Sequence, residues 1–453
     1  MKPSVYADTV IIAEKSHDAY QLAHLFTLSG PIPQALLQNL GDPRPNKILF
    51  HLRKCQGYLT SPWEEMCQHQ LLALYHLSIA SSFPLGSSPD ALDPQGKTQA
   101  ERLSEACDAI NVIVTAFLRH FSSLNPGRWA LPLLRTLLLN LRWISIQADA
   151  ATTLVNQSNL HSASNANHAA PPTDSRPSQK RLEECARQLN KAFTACVADR
   201  NPDLAESKKW GTYDVVGMVF KTYFKLKSIS LCKNILRALS AGGLPPLQEY
   251  PRAQQVTFRY FVGVLAFLGE EYAKAEADLD FAFRNCHKRA FKNQELILTY
   301  LVPARLVRGS LPSEELLSRF PRLSHLYSNL IQSFRKGDVR SFDQELSSPA
   351  KEKSLVKLGT YLSMERSREG CLRGLFRRVW LAKKKETRLK IDDFWLALKF
   401  VGMQVSKEEA EWYIANMIFK GYMKGYIAHE RGMLVLSAKE AFPNLGTFTV
   451  PTS

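Results

Sequence analysis

The run Lys390–Ser437, KIDDFWLALKFVGMQVSKEEAEWYIANMIFKGYMKGYIAHERGMLVLS, decides how the rest of the chain is read. Its first segment is expected to be helical from about Asp392 to Val401 and to stop at Gly402. A second helix is expected from Ser406, because Ser406 and Glu409 have the spacing of a capping box, in which side chain and backbone satisfy two orphan N–H groups reciprocally. Ala410, Tyr413, Ile414, Met417 and Ile418 recur at helical spacing and give this helix a buried face. Lys420-Gly421 places a cation in the last turn and a glycine where the left-handed cap forms. Met423–Ala428 and Met433–Ser437 then read as two short strands around His429-Glu430-Arg431-Gly432, a hairpin signal. Helix, helix and hairpin, with more helix upstream, is the layout of a winged helix.

Outward from this run, 453 residues suffice for two or three domains. With 45% hydrophobic and 22% charged residues, the composition is that of an ordinary globular protein. The most apolar stretch, Leu131–Ile146, is interrupted by Arg135 and Arg142 and falls short of the ~20 apolar residues a membrane span needs. The first ten residues, MKPSVYADTV, lack a basic region followed by an apolar core, so no signal peptide is expected. The eight cysteines contain no CxxC pair and no ligand-spaced cluster with histidine, which argues for reduced small hydrophobes and against zinc.

Charge is unevenly placed. Residues 1–150 carry 12 basic and 12 acidic side chains, 151–334 carry 24 and 16, and 335–453 carry 22 and 14. The whole +16 excess thus lies after residue 150, which favours nucleic acid or an acidic protein as partner over a merely solvated basic surface.

The remainder reads as helical. Residues 1–155 form an N-terminal helical region with helices expected over Tyr6–Leu28, Trp63–Phe83, Glu101–Phe121 and Leu131–Val155. Residues 156–179, rich in Ser, Asn, Ala and Pro, read as a disordered insert, too poor in apolar surface to offset the entropy of ordering. Residues 180–338 read as a helical-repeat solenoid. In it, Gly263, Ala266, Tyr272, Ala275, Leu279 and Ala282 place small residues where two helices approach, as in a tetratricopeptide-like hairpin. Linking helices follow over 339–389, then the winged helix over 390–440 and a tail over 441–453. The expected fold class is mostly α: a right-handed stack of tetratricopeptide-like hairpins ending in a C-terminal winged helix.

A helical-repeat solenoid that ends in a winged helix resembles the PCI domain, whose helical part begins here near residue 254. Four runs are similar to those of the COP-9 signalosome subunit 12 homologues, PCI domain-containing protein 2 and the Thp-type proteins. They are 207–241 (SKKWGTYDVVGMVFKTYFKLKSISLCKNILRALSA), 254–279 (QQVTFRYFVGVLAFLGEEYAKAEADL), 293–317 (NQELILTYLVPARLVRGSLPSEELL) and 415–437 (ANMIFKGYMKGYIAHERGMLVLS). The resemblance implies a scaffold subunit that is not an enzyme and needs no cofactor. It also implies pairing with a second PCI protein of the Sac/Thp type through the winged helices, and a small acidic Sem/DSS-type protein along the helical repeats. Weakly sequence-specific RNA or DNA binding follows, in TREX-2 or a sister complex acting in mRNA processing and export, in the nucleus with a cytoplasmic pool. The alternative it leaves open is an accessory subunit of the COP-9 signalosome, among the subunits of that deneddylating complex, without nucleic-acid binding.

Candidate residues follow from chemistry. An acidic partner needs cations beside apolar grooves, and Lys208, Lys209, Lys221, Lys225, Lys227 and Lys233 lie near Tyr213, Phe220, Tyr223 and Phe224, aromatics that also suit a core. Phosphates need cations that neutralise charge without reading sequence. Here these are Arg373, Arg377, Arg378, Lys383, Lys384, Lys385, Arg388 and Lys390 before or at the start of the winged helix, Lys420 and Lys424 within it, and Arg431 in the wing. Glu408, Glu409 and Glu411 open the second helix and disfavour it as a major-groove reader. The pairing surface implied by the resemblance is assigned to Trp412, Tyr422, Tyr426, Ile427 and Leu434. No zinc-protease motif, phosphate loop or nucleophile elbow is present, and His429 reads as a turn residue and not as a base.

Overall fold

The computed structural model describes residues 1–84, 88–164 and 179–445, and of 159–164 only the backbone. The chain divides into two compact units, Met1–Gln254 and Gln255–Ser453. Twenty α-helices and one three-stranded sheet are present among the described residues, and no helix among them is long and apolar enough to cross a membrane.

In the first unit the expected helix over Tyr6–Leu28 is two helices, Pro3–Lys15 and Ala19–Leu25. His17 takes a positive φ of 54° and the Asp18 carboxylate accepts the Gln21 N–H, so a new helix is capped where a continuous one was expected. Trp63–Ser82, Gln99–Ser123, Leu131–Ser164 and Lys180–Val197 pack in sequence, each burying one apolar stripe. Thr98 and Glu101 form a capping box that starts the second of these. The helix from Leu131 runs nine residues past the expected boundary at Val155 into the segment read as a disordered insert. The Ser158 hydroxyl, which bonds the Asp90 carboxylate at 3.0 Å, ties this last part to the loop before Gln99. Residues 165–178, where the rest of that insert was placed, lie outside the described residues. Six of the eight cysteines are buried here and in the second unit, and burial pushes the Cys107 thiol up to about 11 and that of Cys196 up to about 12.

The second unit begins within the helix Arg252–Leu268, which forms a hairpin with Tyr272–Asn285. A Cβ on Gly263 would stand 2.7 Å from Leu279 Cγ, so glycine is required for this approach, and Ala275, Leu279 and Ala282 are fully buried beside it. Shorter helices follow, and Tyr361–Ala382 then leads into the winged helix. Phe376 of this lead helix meets Phe394 edge to face at 5.2 Å, and both are fully buried; such a pair contributes about 1 kcal/mol beyond its buried area. The two winged-helix helices are Ile391–Phe400 and Lys407–Phe419, the second with the expected Ser406–Glu409 capping box. Gly402 and Gly421 take positive φ at their ends.

The sheet differs from the expectation by one strand. β1 (Arg388–Lys390), β2 (Gly425–Ala428) and β3 (Met433–Leu436) lie in the order β1-β3-β2, all antiparallel. Three residues are too few for periodicity to show a strand, which is why Arg388–Lys390 reads in sequence only as the end of a basic run.

Candidate partner and nucleic-acid interface

Pairing register sorts the winged-helix sheet into two faces. Leu389, Leu434 and Ile427 are cross-strand neighbours, and Leu389 and Leu434 are buried against the helices. The neighbouring rows, Arg388–Val435–Tyr426 and Lys390–Met433–Ala428, therefore form the outer face. Arg388 and Lys390 are exposed there, and Tyr426 keeps 64% of its surface. Two cations and an aromatic ring share one strand-paired surface.

The other cations expected to meet phosphate divide by what they already bind. Arg373 donates to the Tyr422 carbonyl at 3.2 Å and the Pro443 carbonyl at 2.5 Å and lies over the Phe442 ring, so it clamps the C-terminal segment onto the lead helix. Burial, with Arg377 nearby, pulls its pKa down. Arg378 donates to the Arg335 carbonyl at 2.8 Å. Lys383 pairs with Asp393 at 2.9 Å, Lys420 with Glu369, and Lys424 with Glu440. Arg377, Lys384, Lys385, Arg388, Lys390 and Arg431 are exposed and make no ion pair among the described residues. The fold thus brings Arg388 and Lys390 together with Tyr426, and engages Arg373, Arg378, Lys383, Lys420 and Lys424 elsewhere.

The expected pairing residues divide in the same way. Leu434 is fully buried and Tyr422 is 5% exposed, so both belong to the core, because the β3 alternation and the turn after Gly421 aim them inward. Ile427 is half-buried, whereas Trp412 and Tyr426 are open. Phe400 and Phe419, which the sequence pattern does not single out, are 92% and 87% exposed. On the second helix, Glu408, Trp412, Ala415 and Phe419 fall on one exposed stripe. Spacing could have found it, since Trp412, Ala415 and Phe419 are out of phase with the buried set Ala410, Ile414 and Met417. His429 Nδ1 in the wing donates at 2.7 Å to the Glu411 carboxylate of this helix, and that carboxylate raises the histidine pKa.

In the first unit, Lys208 is 5% exposed: its Nζ donates to the Ser122 carbonyl at 3.1 Å and lies over the Phe121 ring, with Asp199 at 3.9 Å. A buried amine held this way is a brace, so Lys208 leaves the set of docking cations. Lys209 donates to the Gly243 carbonyl at 3.0 Å. Lys221, Lys225, Lys227 and Lys233 are exposed on or beside Thr212–Lys225 and Cys232–Ala241. Phe220 and Tyr223 are buried, so these aromatics are core.

Residues 339–438, which hold the lead helix and the winged helix, match the PCI domain family. Over its full length the chain is 53% identical to Protein CSN12 homolog of Mycosarcoma maydis, covering all of both chains. The chain belongs to the PCI-domain family of CSN12 homologues. Protein CSN12 homolog of Neurospora crassa is 38% identical over 96% of this chain and 98% of its own. PCI domain-containing protein 2 of Xenopus laevis is 29% identical over 98% of each chain. Helical repeats closed by a winged helix are the architecture of a scaffold-type PCI protein, as the resemblance of the four sequence runs implied.

Proposed function

We propose that this chain is a non-catalytic scaffold that pairs with a second PCI protein through its winged helix and presents RNA or DNA with a joined basic surface. One observation carries the reading: the outer face of the winged-helix sheet, where Arg388 and Lys390 lie beside the exposed Tyr426, on a sheet whose outer strands β1 and β2 each have one edge unpaired among the described residues. Open edges suit strand addition by a partner. Cations beside an aromatic suit backbone phosphates and an unstacked base. A small acidic protein of the Sem/DSS type is assigned to the helices bearing Lys221, Lys225 and Lys227. The setting is mRNA processing and export in the nucleus, in TREX-2 or a sister complex.

The exposed aromatic stripe of the second helix favours a second reading, an accessory subunit of the COP-9 signalosome that uses the winged helix for protein contacts alone. Coexpression with the acidic protein and a Sac/Thp-type PCI partner, followed by RNA binding of the purified complex, separates the two. The scaffold reading expects a stable complex that loses the acidic protein on charge reversal at Lys221, Lys225 and Lys227 and still binds RNA. A complex that holds signalosome subunits and ignores RNA overturns it.

A further inference from the structure

The helices Leu131–Ser164 and Thr212–Lys225 face each other through two rungs of charged side chains, each pair of positions seven residues apart. The first rung is attractive: Arg135 donates to the Asp214 carboxylate at 2.8 Å. The second brings two basic residues together. Arg142 donates through Nε to the Thr222 hydroxyl at 3.2 Å and through Nη2 to the Lys221 carbonyl at 3.5 Å, which sets its guanidinium against the residue that bears the next cation. Neither Arg142 nor Lys221 makes an ion pair with a carboxylate among the described residues. Lys221 keeps an exposed side chain, yet desolvation by the helices packed around it and then the neighbouring Arg142 pull its pKa down, with Asp214 opposing and Arg135 adding to the effect; burial pulls Arg142 down.

A half-buried guanidinium costs desolvation energy, and a second cation beside it adds repulsion that an opposite charge would remove. Two of the five guanidinium N–H groups are committed to Thr222 and Lys221, so three are left to donate, together with the Lys221 ammonium.

We infer that Arg142 and Lys221 form a docking site for a phosphomonoester dianion carried on a phosphorylated serine or threonine of a peptide partner. Two cations match a group of charge about −2 and three acceptor oxygens; a single carboxylate would neutralise half of the rung. Asp214 closes one end of the cationic strip, which opposes a continuous polyanion running on past Arg135. Leu139, on the same helix within a turn of Arg142, keeps 42% of its surface exposed and offers apolar purchase to a side chain flanking the phosphate. The site belongs to the first unit, shares Lys221 with the surface assigned above to the acidic protein but not Lys225 or Lys227, and does not depend on the pairing proposed for the winged helix.

The test uses the full chain with three probes: inorganic phosphate, a leucine-flanked phosphoserine heptapeptide with its unphosphorylated twin, and a short single-stranded RNA. Melting temperature and phosphorus NMR line width are followed at constant ionic strength against chloride. The expected result is a rise of melting temperature with phosphate, and binding of the phosphopeptide tighter than that of its twin by about tenfold or more. Lys221→Glu is the decisive variant: it makes the rung attractive, so it melts higher than the parent in chloride and loses the phosphate response. Lys225→Glu, one turn on, keeps the response. The inference is overturned if phosphate and chloride act alike on the parent, if Lys221→Glu retains the response, if the twin binds as well, or if RNA binds as tightly per phosphate as the peptide.

Discussion

The basic run 373–390 and the lysine-rich run 208–233 look alike in sequence, yet the fold treats their members unequally in both places. In the first, Arg373 and Arg378 spend their donors on backbone carbonyls and Lys383 on Asp393, while Arg388 and Lys390 stand open on a sheet face. In the second, Lys208 and Lys209 hold the carbonyls of Ser122 and Gly243, while Lys221, Lys225, Lys227 and Lys233 stay in solvent. The cations that bind carbonyls sit where a loop, a helix end or a terminal segment leaves those carbonyls without helical partners. The open cations differ in what surrounds them. Arg388 and Lys390 share a flat paired surface with an aromatic ring, suited to an extended polyanion. Lys221 faces another cation across a helix pair, suited to one discrete anion.

The largest effect that sharpens this contrast is expected at a brace. Lys208→Met leaves the Ser122 carbonyl and Asp199 short of a buried partner and should cost about 3 kcal/mol. Lys225→Met, fully in solvent, should fall within about 0.5 kcal/mol. Urea unfolding of both variants measures the difference, and equal midpoints would erase the distinction between brace and open cation.

A smaller effect separates geometry from charge on the wing. A Cβ at Gly425 would stand 2.3 Å from the Val435 carbonyl oxygen and 3.0 Å from Leu436 Cα, both backbone atoms, so Gly425→Ala must push β2 from β3. Expected are a loss of about 2 kcal/mol and weaker partner pairing without any change of charge. Unchanged thermal stability together with unchanged partner affinity would show that the sheet surface is not the pairing element.

The smallest effect is a titration. The Glu411 carboxylate raises the His429 pKa, so the charged pair that ties wing to helix is fully formed below the ordinary histidine value and is lost as pH rises through the raised one. An NMR titration of the His429 ring should show an upward shift that Glu411→Gln abolishes. A titration at the free-histidine value in the parent would remove this contact.

Much of the architecture was legible because helical periodicity, capping boxes and glycine stops are local signals: Ser406–Glu409 marks its helix in sequence and in structure alike. The small-residue hairpin around Gly263 was legible too, since close approach restricts residue size. The functional surface was less so. β1 is too short to show alternation, and without it the pairing of Arg388 with Tyr426 across β3 has no sequence signal. Tyr422 and Leu434 were assigned to the pairing surface on the strength of the resemblance, which carries no inside-or-outside signal, whereas the fold buries both. Arg142 was passed over because its partner position lies 79 residues away.

The most direct measurement is the salt dependence of RNA affinity for the chain copurified with its PCI partner, compared with two double variants. One removes the open cations (Arg388→Ala with Lys390→Ala), the other removes paired ones (Lys420→Met with Lys424→Met). Loss of two phosphate contacts should make the logarithmic salt slope shallower by about 2 in the first variant and leave it unchanged in the second. Equal slopes in the parent and the first variant, or a loss confined to the second, would contradict the placement of the nucleic-acid surface on the outer face of the sheet.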